Sequence, residues 1–294
     1  MNYRHHYHAG NFADVMKHAL LLELVHALQK KEKGYLYLDT HAGRGRYDLA
    51  AAASGDTHAR RPEWPDGIGR FVRRTDLPVA LVNYVALVKK ADGGTEAGDI
   101  ASPSLGFYPG SPWFAQQLAR PQDRIALVEK QPDEFLALAC EFRDAARVSV
   151  HEMDGYVALR AMLPPPERRA LVLIDPPFEA ANEFAQIAEA LGGALRRFPT
   201  GVYAVWYPLT VRARVEEFFE AVVALRPPPT LAAELLIAGE DTVMKMKGCG
   251  LLIINPPWQF EREAEALLTW LAPALAQGPG GAARVTWLVR EASS

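Results

Sequence analysis

The feature that most constrains this chain is a set of short runs that are apolar on both faces. YLYLD (35–39), RIALVE (124–129), ALVLID (170–175), GVYAVWY (201–207), TLAAELLI (230–237) and GLLIIN (250–255) lack the apolar–polar alternation of a half-exposed strand. A strand apolar on both sides has to be covered on both sides, and covering helices between consecutive strands make the sheet parallel. The intervening segments supply those helices. Phe12 to Gln29 reads as an amphipathic helix capped by Asn11, and RYDLAAAA (46–53) is helix-like. Further helices are expected over 77–90, 133–145, 156–163, 180–198, 211–225 and 261–276, and another starts at YPGSP with Ser111 as N-cap and Pro112 in the first turn. RVSVHEMD (147–154) and RVTWLV (284–289) complete the strands. The reading is one doubly wound α/β domain spanning 1–294. Arg124 follows Asp39 by 85 residues, far more than the roughly thirty of a βαβ unit. A small, mostly helical subdomain is therefore expected at about 54–109.

In open α/β sheets ligands sit beyond the carboxyl ends of the strands, at the switch in strand order. The residues at those ends are informative. THAGRG places Gly43 and Gly45 after the first strand, where glycine lets backbone approach a ligand. The turn is neither GxGxxG nor a P-loop, so no pyrophosphate site is marked and a dinucleotide oxidoreductase is disfavoured. Glu129 ends the second strand and can accept from two ribose hydroxyls. Asp154-Gly155 ends the third, and Asp154 can accept from an adenine amino group. Asp175-Pro176-Pro177-Phe178 ends the fourth. Together these suit S-adenosylmethionine.

The DPPF turn suits transfer to an exocyclic nitrogen, whose lone pair is delocalised into its ring. The Asp175 carboxylate and the Pro176 carbonyl are two acceptors for its N–H groups, held by prolines that fix φ. Phe178 offers a stacking face. INPPW (254–258) repeats the pattern. Only twelve residues, without a helix, separate its strand from the one before, so a hairpin is expected, and Asn255 falls at the opposite edge of the sheet as a structural decoy.

Charge adds a hint. Residues 1–90 carry 14 Lys+Arg against 9 Asp+Glu, whereas the net charge of the chain is −3. A basic front on an acidic body can face phosphates. No run approaches the ~18 apolar residues of a membrane span. MNYRHHYHAG lacks the apolar core of a signal peptide, and Cys140 and Cys249 form no CxxC, so a reducing cytoplasm is the expected compartment. The histidine-rich start suggests a metal first, but His5, His6 and His8 have no carboxylate partner nearby in sequence, and no metal is assigned.

The segments YRHHYHAGNFADVMKH, YLDTHAGRGRY, YPGSP, IDPPF, TGVYAVWYP and INPPW resemble, from end to end, the RlmJ family of bacterial 23S ribosomal RNA adenine-N6 methyltransferases. The resemblance implies a Rossmann-like class I fold with a helical insertion, S-adenosylmethionine as donor, and 23S rRNA not yet packed into a mature subunit as substrate. No membrane and no obligate protein partner is inferred. By matching position it implies donor contacts at His18, His41, Ser111, Glu129, Asp154, Gly155 and Asp175, with Asp175, Pro176 and Phe178 as the catalytic turn. It also implies substrate-side roles for Tyr3, His5 and Lys17. Phe178 stands where the family usually has Tyr, Arg44 adds charge to the glycine turn, and 92–106 is longer than usual. Arg60, Arg61, Arg70, Arg73 and Arg74 become candidates for phosphate contacts. The residues alone leave open DNA adenine or a protein glutamine as acceptor, or a non-catalytic protein that only binds the donor.

Overall fold

The computed structural model describes residues 7–50, 61–93, 105–239 and 241–291. Its centre is an eight-stranded sheet built from β1 (Leu36–Asp39), β4 (Arg124–Glu129), β5 (Val148–Glu152), β6 (Ala170–Ile174), β7 (Val202–Leu209), β8 (Thr230–Leu236), β9 (Gly248–Ile254) and β10 (Ala282–Val289). The spatial order is β10-β8-β9-β7-β6-β1-β4-β5. Pairing is parallel from β5 through β4, β1 and β6 to β7, and antiparallel where β9 slots between β7 and β8 and where β10 joins β8. Six strands thus run one way, with β9 and β10 against them. An antiparallel strand wedged between the last two parallel ones is the Rossmann-like class I methyltransferase arrangement. β1 lies between β4 and β6, so the chain's switch in direction of winding, and the crevice it opens, lie at the end of β1.

Period-two alternation explains the double-sided apolar strands. In β4, Ile125 and Leu127 enter one core with Met16, Leu20, Leu171 and Ile253. Ala126 and Val128 enter the other with Leu38, Val172, Ile187 and Val222. The first core is closed by α1 (Phe12–Gln29) and α8 (Phe260–Leu275), the second by α5 (Gly155–Met162), α6 (Glu183–Arg197) and α7 (Arg212–Ala224). An additional helix, α4 (Pro132–Glu141), lies beside β4 and β5.

Three expectations need correction. The first helix has the expected bounds and cap, with Asn11 Oδ1 accepting from the Ala13 and Asp14 N–H groups at 2.9 and 3.0 Å. It is not amphipathic, however: 15 of its 18 residues are buried, Asp14, Lys17 and His18 among them. One side lies on β6 and β9. The others are covered by α8, α2 (Val79–Ala91) and α3 (Ser111–Leu118). Secondly, Arg46–Asp48 is a strand, β2, paired antiparallel with β3 (Phe107–Pro109). The left-handed turn at Gly43 (φ +60°) and Gly45 (φ +83°) swings the chain back toward β3, and the Gly110 N–H closes the ladder on the Gly45 carbonyl at 2.7 Å. Helix begins only after the strand, at Leu49 and Ala50, and the rest of the expected helix, 51–53, lies outside the described residues. Thirdly, α3 is capped at Gly110, one residue early; Ser111 lies inside the helix, its hydroxyl donating to Asp39 instead.

Between β2 and β3 the described residues form two short 3-10 turns, Trp64–Asp66 and Ile68–Arg70, followed by α2. All of the 54–60 segment and most of the 92–106 loop lie outside the described residues. No helix among those described is long and apolar enough to cross a membrane.

Candidate active site

A cleft of about 1080 Å³ opens along the carboxyl ends of β1, β4, β5, β6 and β7. It gathers His18, His41, Ser111, Glu129, Asp154, Gly155, Asp175, Pro176, Phe178 and Lys17 into one wall-to-wall surface. Tyr3 and His5 lie outside the described residues.

At the β4–β5 end, Glu129 Oε2 accepts the Gly43 N–H at 2.9 Å and Oε1 accepts the Gln131 N–H at 2.7 Å. Burial nevertheless raises its pKa above the ordinary carboxylate value. The Lys130 backbone N–H also reaches this carboxylate, which keeps only part of its acceptor capacity free. Asp154 is the N-cap of α5: Oδ1 accepts from Tyr156 and Val157 N–H groups at 2.9 and 3.3 Å, and Oδ2 takes the Lys130 ammonium at 3.0 Å. Burial pushes its pKa up, but Lys130 and the two backbone donors win and hold it low. Arg44, the added charge in the turn, is clamped in bidentate fashion by Glu134 at 2.9 and 2.7 Å.

Gly155 is where strand ends meet. A Cβ there would lie 2.2 Å from the Thr40 carbonyl oxygen and 2.9 Å from the His41 ring. His41 Nδ1 is 2.8 Å from the Thr40 hydroxyl and its ring meets Tyr156 edge-on at 5.3 Å. Burial pushes its pKa down to about 4, so the imidazole is neutral at physiological pH. Tyr156 in turn donates to buried Glu183 at 2.5 Å.

At the centre, Asp39 is fully buried at the end of β1. Its Oδ2 accepts both the Tyr37 and Ser111 hydroxyls, at 2.9 and 2.7 Å. Burial pushes its pKa up to about 6 against those hydrogen bonds. His18 Nδ1 is 2.7 Å from the Tyr108 hydroxyl, which itself meets Tyr84 at 2.7 Å, and the imidazole packs on Phe114 at 5.0 Å. His18 is thus tied to α2 and β3 of the insertion.

Asp175 receives the Lys17 ammonium on Oδ2 at 2.6 Å, and the same ammonium reaches Asp14 Oδ1 at 2.8 Å. Asp14 Oδ2 accepts the Gly10 N–H at 2.9 Å. Burial alone would lower the lysine pKa, but the two carboxylates hold it well above its usual value. Phe178 adopts φ +51°, a left-handed backbone rare for an aromatic, and its ring meets Phe184 and Trp206 edge-on at 5.0 and 5.7 Å. Asn255 lies at the opposite edge of the sheet, its amide donating to the Pro199 and Gly201 carbonyls at the start of β7.

The family model described as ribosomal RNA large subunit methyltransferase D, RlmJ, matches residues 32–289. The chain belongs to the RlmJ family. The proteins called ribosomal RNA large subunit methyltransferase J in Escherichia coli and Haemophilus influenzae are each 38% identical to it over 292 residues, covering 99% of this chain and 100% of theirs. A crystal structure of a Legionella pneumophila protein is 36% identical and superposes with a TM-score of 0.83, covering 95% of this chain and 98% of that one. As a member of the RlmJ family, the chain is an S-adenosylmethionine-dependent methyltransferase.

Several residues in the cleft or buried behind it escaped the sequence reading. Asp14 and Asp39 are carboxylates within apolar runs and look like helix and strand ends. Glu63 is 3.0 Å from His8 Nδ1 and accepts from the Asn11 amide at 2.9 Å, so His8 does have a carboxylate partner, 55 residues away in sequence. Burial raises the Glu63 pKa, but those two donors outweigh it and hold it low. Among the described residues no cluster of His, Cys, Asp and Glu is arranged to hold a metal. Of the candidate arginines, Arg61 and Arg73 are exposed and Arg60 lies outside the described residues. Arg70 donates to the Ala274 and Ala276 carbonyls at 3.1 and 2.9 Å, and Arg74 pairs with Asp76 and stacks on Trp270 at 4.7 Å.

Proposed function

We propose that this protein transfers a methyl group to the exocyclic N6 of an adenine in 23S rRNA, in the cytoplasm, on rRNA not yet packed into a mature subunit. The observation that carries the reading is the placing of Asp175-Pro176-Pro177-Phe178 mid-cleft, between carboxylate-bearing strand ends and an aromatic wall.

The residues fit the donor. Glu129 keeps acceptor capacity for ribose hydroxyls, Gly155 lets the Asp154 turn close against Thr40 and His41 without a side chain between them, and neutral His41 and buried Ser111 and His18 line the approach. Bound there, S-adenosylmethionine supplies a methyl carbon made electrophilic by its sulfonium. This chain's residues prepare the nucleophile. Lys17 occupies Asp175 Oδ2 and fixes the carboxylate's plane, and no described group donates to Oδ1. Oδ1 and the Pro176 carbonyl then accept the two N6 hydrogens and favour a lone pair directed away from the ring. When N6 accepts that methyl, the proton it gives up would leave through Asp175 Oδ1 to water. Phe178, backed by Phe184 and Trp206, gives the extruded base a stacking face. Tyr3 and His5, outside the described residues, are assigned to the substrate side by the family resemblance alone.

The test is methyl transfer from labelled donor to protein-free 23S rRNA lacking the modification, with DNA and peptide acceptors in parallel. Wild type and Asn255→Ala are expected to yield N6-methyladenine in RNA alone, and Asp175→Ala to lose turnover by at least ~100-fold. Methylation of DNA or peptide in preference to RNA overturns the substrate; equal activity of Asp175→Ala overturns the site.

A further inference from the structure

β8 runs parallel to β6 and β7, so it ends at the cleft edge of the sheet, and the chain that returns as β9 must turn there. The same hairpin that carries Asn255 away therefore brings the segment 237–247 to the cleft mouth. Its base is fixed: the Ile237 N–H donates to the Lys247 carbonyl at 2.9 Å and the Lys247 N–H to the Leu209 carbonyl at 2.9 Å. Beyond that base, Lys245 and Met246 line the cleft on the side of Phe178, Trp206, Pro208 and Thr210. Met246 is half-buried and packs against the core, whereas Lys245 is exposed and makes no ion pair among the described residues.

Charge decides what this wall faces. At the β4–β5 end the cleft is lined by Glu129, Asp133, Glu134 and Asp154, and its two cations, Arg44 and Lys130, are already paired with Glu134 and Asp154, so the surplus is acidic and disfavours phosphate. A nucleotide whose base enters between Asp175 and Phe178 must carry its flanking backbone out on the other side. That exit is where Lys245 stands.

We propose that the β8–β9 turn is the RNA-side wall of the active site: Lys245 holds a phosphate beside the target nucleotide, and Met246 presents an apolar surface to the extruded base. This rests on the reading of RNA as substrate. It places a specificity element near the end of the chain, in a turn bonded to Gln277 and Pro279, next to the Ala274 and Ala276 carbonyls that Arg70 of the basic front holds.

The experiment measures rRNA KM, kcat and the salt dependence of RNA binding for wild type, Lys245→Ala, Lys245→Glu and Lys245→Arg. Lys31→Ala is the charge control, since Lys31 precedes β1 at the opposite edge of the sheet. Lys245→Ala is expected to raise KM on the order of five-fold and to flatten the log–log salt slope by about 0.7, one single-strand phosphate contact. The kcat, the affinity for S-adenosylhomocysteine and the melting temperature should hold. Lys245→Glu should be worse, Lys245→Arg near wild type, and Lys31→Ala unchanged. An active wild type with Lys245→Ala unaltered in KM and slope overturns the wall alone, as does a loss confined to donor affinity. A wild type that methylates no RNA overturns the substrate reading and the wall with it.

Discussion

Replacing Lys17 with Met keeps most of the side-chain stem and deletes the cation shared by Asp14 and Asp175. In the native protein that ammonium lies 2.8 Å from one carboxylate and 2.6 Å from the other. Asp14 is almost wholly buried, and the Asp175 side chain is 18% exposed. Removing one partner of a buried pair costs about 3–5 kcal/mol because the remaining charge is uncompensated. Asp175 reaches water in the cleft and relieves part of that strain, so the lower end, on the order of 3 kcal/mol, is expected for Lys17→Met at pH 7. Urea unfolding followed by tryptophan fluorescence reads it as a lower midpoint at unchanged slope. The pH dependence is specific. Lys17 has a raised pKa, so its stabilisation is complete below about 10.4 and fades only as the pH climbs through the raised value. The variant's deficit should instead shrink on the acid side, as the abandoned carboxylates take up protons. A second change, Lys17→Met with Asp14→Asn, removes one of those charges and should recover more than half of the loss. A single variant as stable as wild type at pH 7 would refute the picture of two carboxylates held by one buried cation.

Asp39→Asn should act in the opposite direction. The Asp39 pKa is raised to about 6 by burial, so the folded protein loses stability as pH rises from about 4 to about 6. An amide oxygen can still accept from Tyr37 and Ser111, so the variant should gain about 1–3 kcal/mol at pH 7 and almost nothing at pH 4; parallel melts at the two values decide. Gly155→Ala forces a methyl to within 2.2 Å of the Thr40 carbonyl oxygen and should cost about 1–3 kcal/mol. It should also weaken S-adenosylhomocysteine binding by calorimetry; undiminished affinity would mean that the donor does not lie against the Thr40–Gly155 contact.

The strand frame was legible because burial on both faces leaves a mark in composition: β1, β4, β6, β7, β8 and β9 are mostly apolar on both faces, and each fell within a residue or two of its expected bounds. The antiparallel β9 was legible from loop length alone. Buried polar residues were not. Asp14 and Lys17 are spaced as any surface ion pair on a helix, and nothing local says that Asp175 will arrive 158 positions later to complete the triad. Asp39 looks like a solvated strand end, and its desolvation comes from Ser111 and Tyr37 closing over it. Ser111 shows the reverse failure. It has the chemistry of an N-cap and the right place in sequence, but a buried carboxylate 2.7 Å away claims the hydroxyl. The strand at Arg46–Asp48 was hidden because its partner, Phe107–Pro109, lies across the whole insertion.

The burial of α1 has a consequence for how the protein is made. Its apolar surface leaves the ribosome before any of the helices that cover it, carrying Lys17 and His18, and one of those covers, α8, begins only at Phe260. At ~5–20 residues per second, the ~230 residues between them take roughly 12–50 s to synthesise. For that interval a greasy helix waits without its lid. The nascent chain is therefore a natural client for a chaperone stationed at the exit tunnel, and the helix that carries Lys17 is fully covered only when the last third of the chain has folded down onto the first.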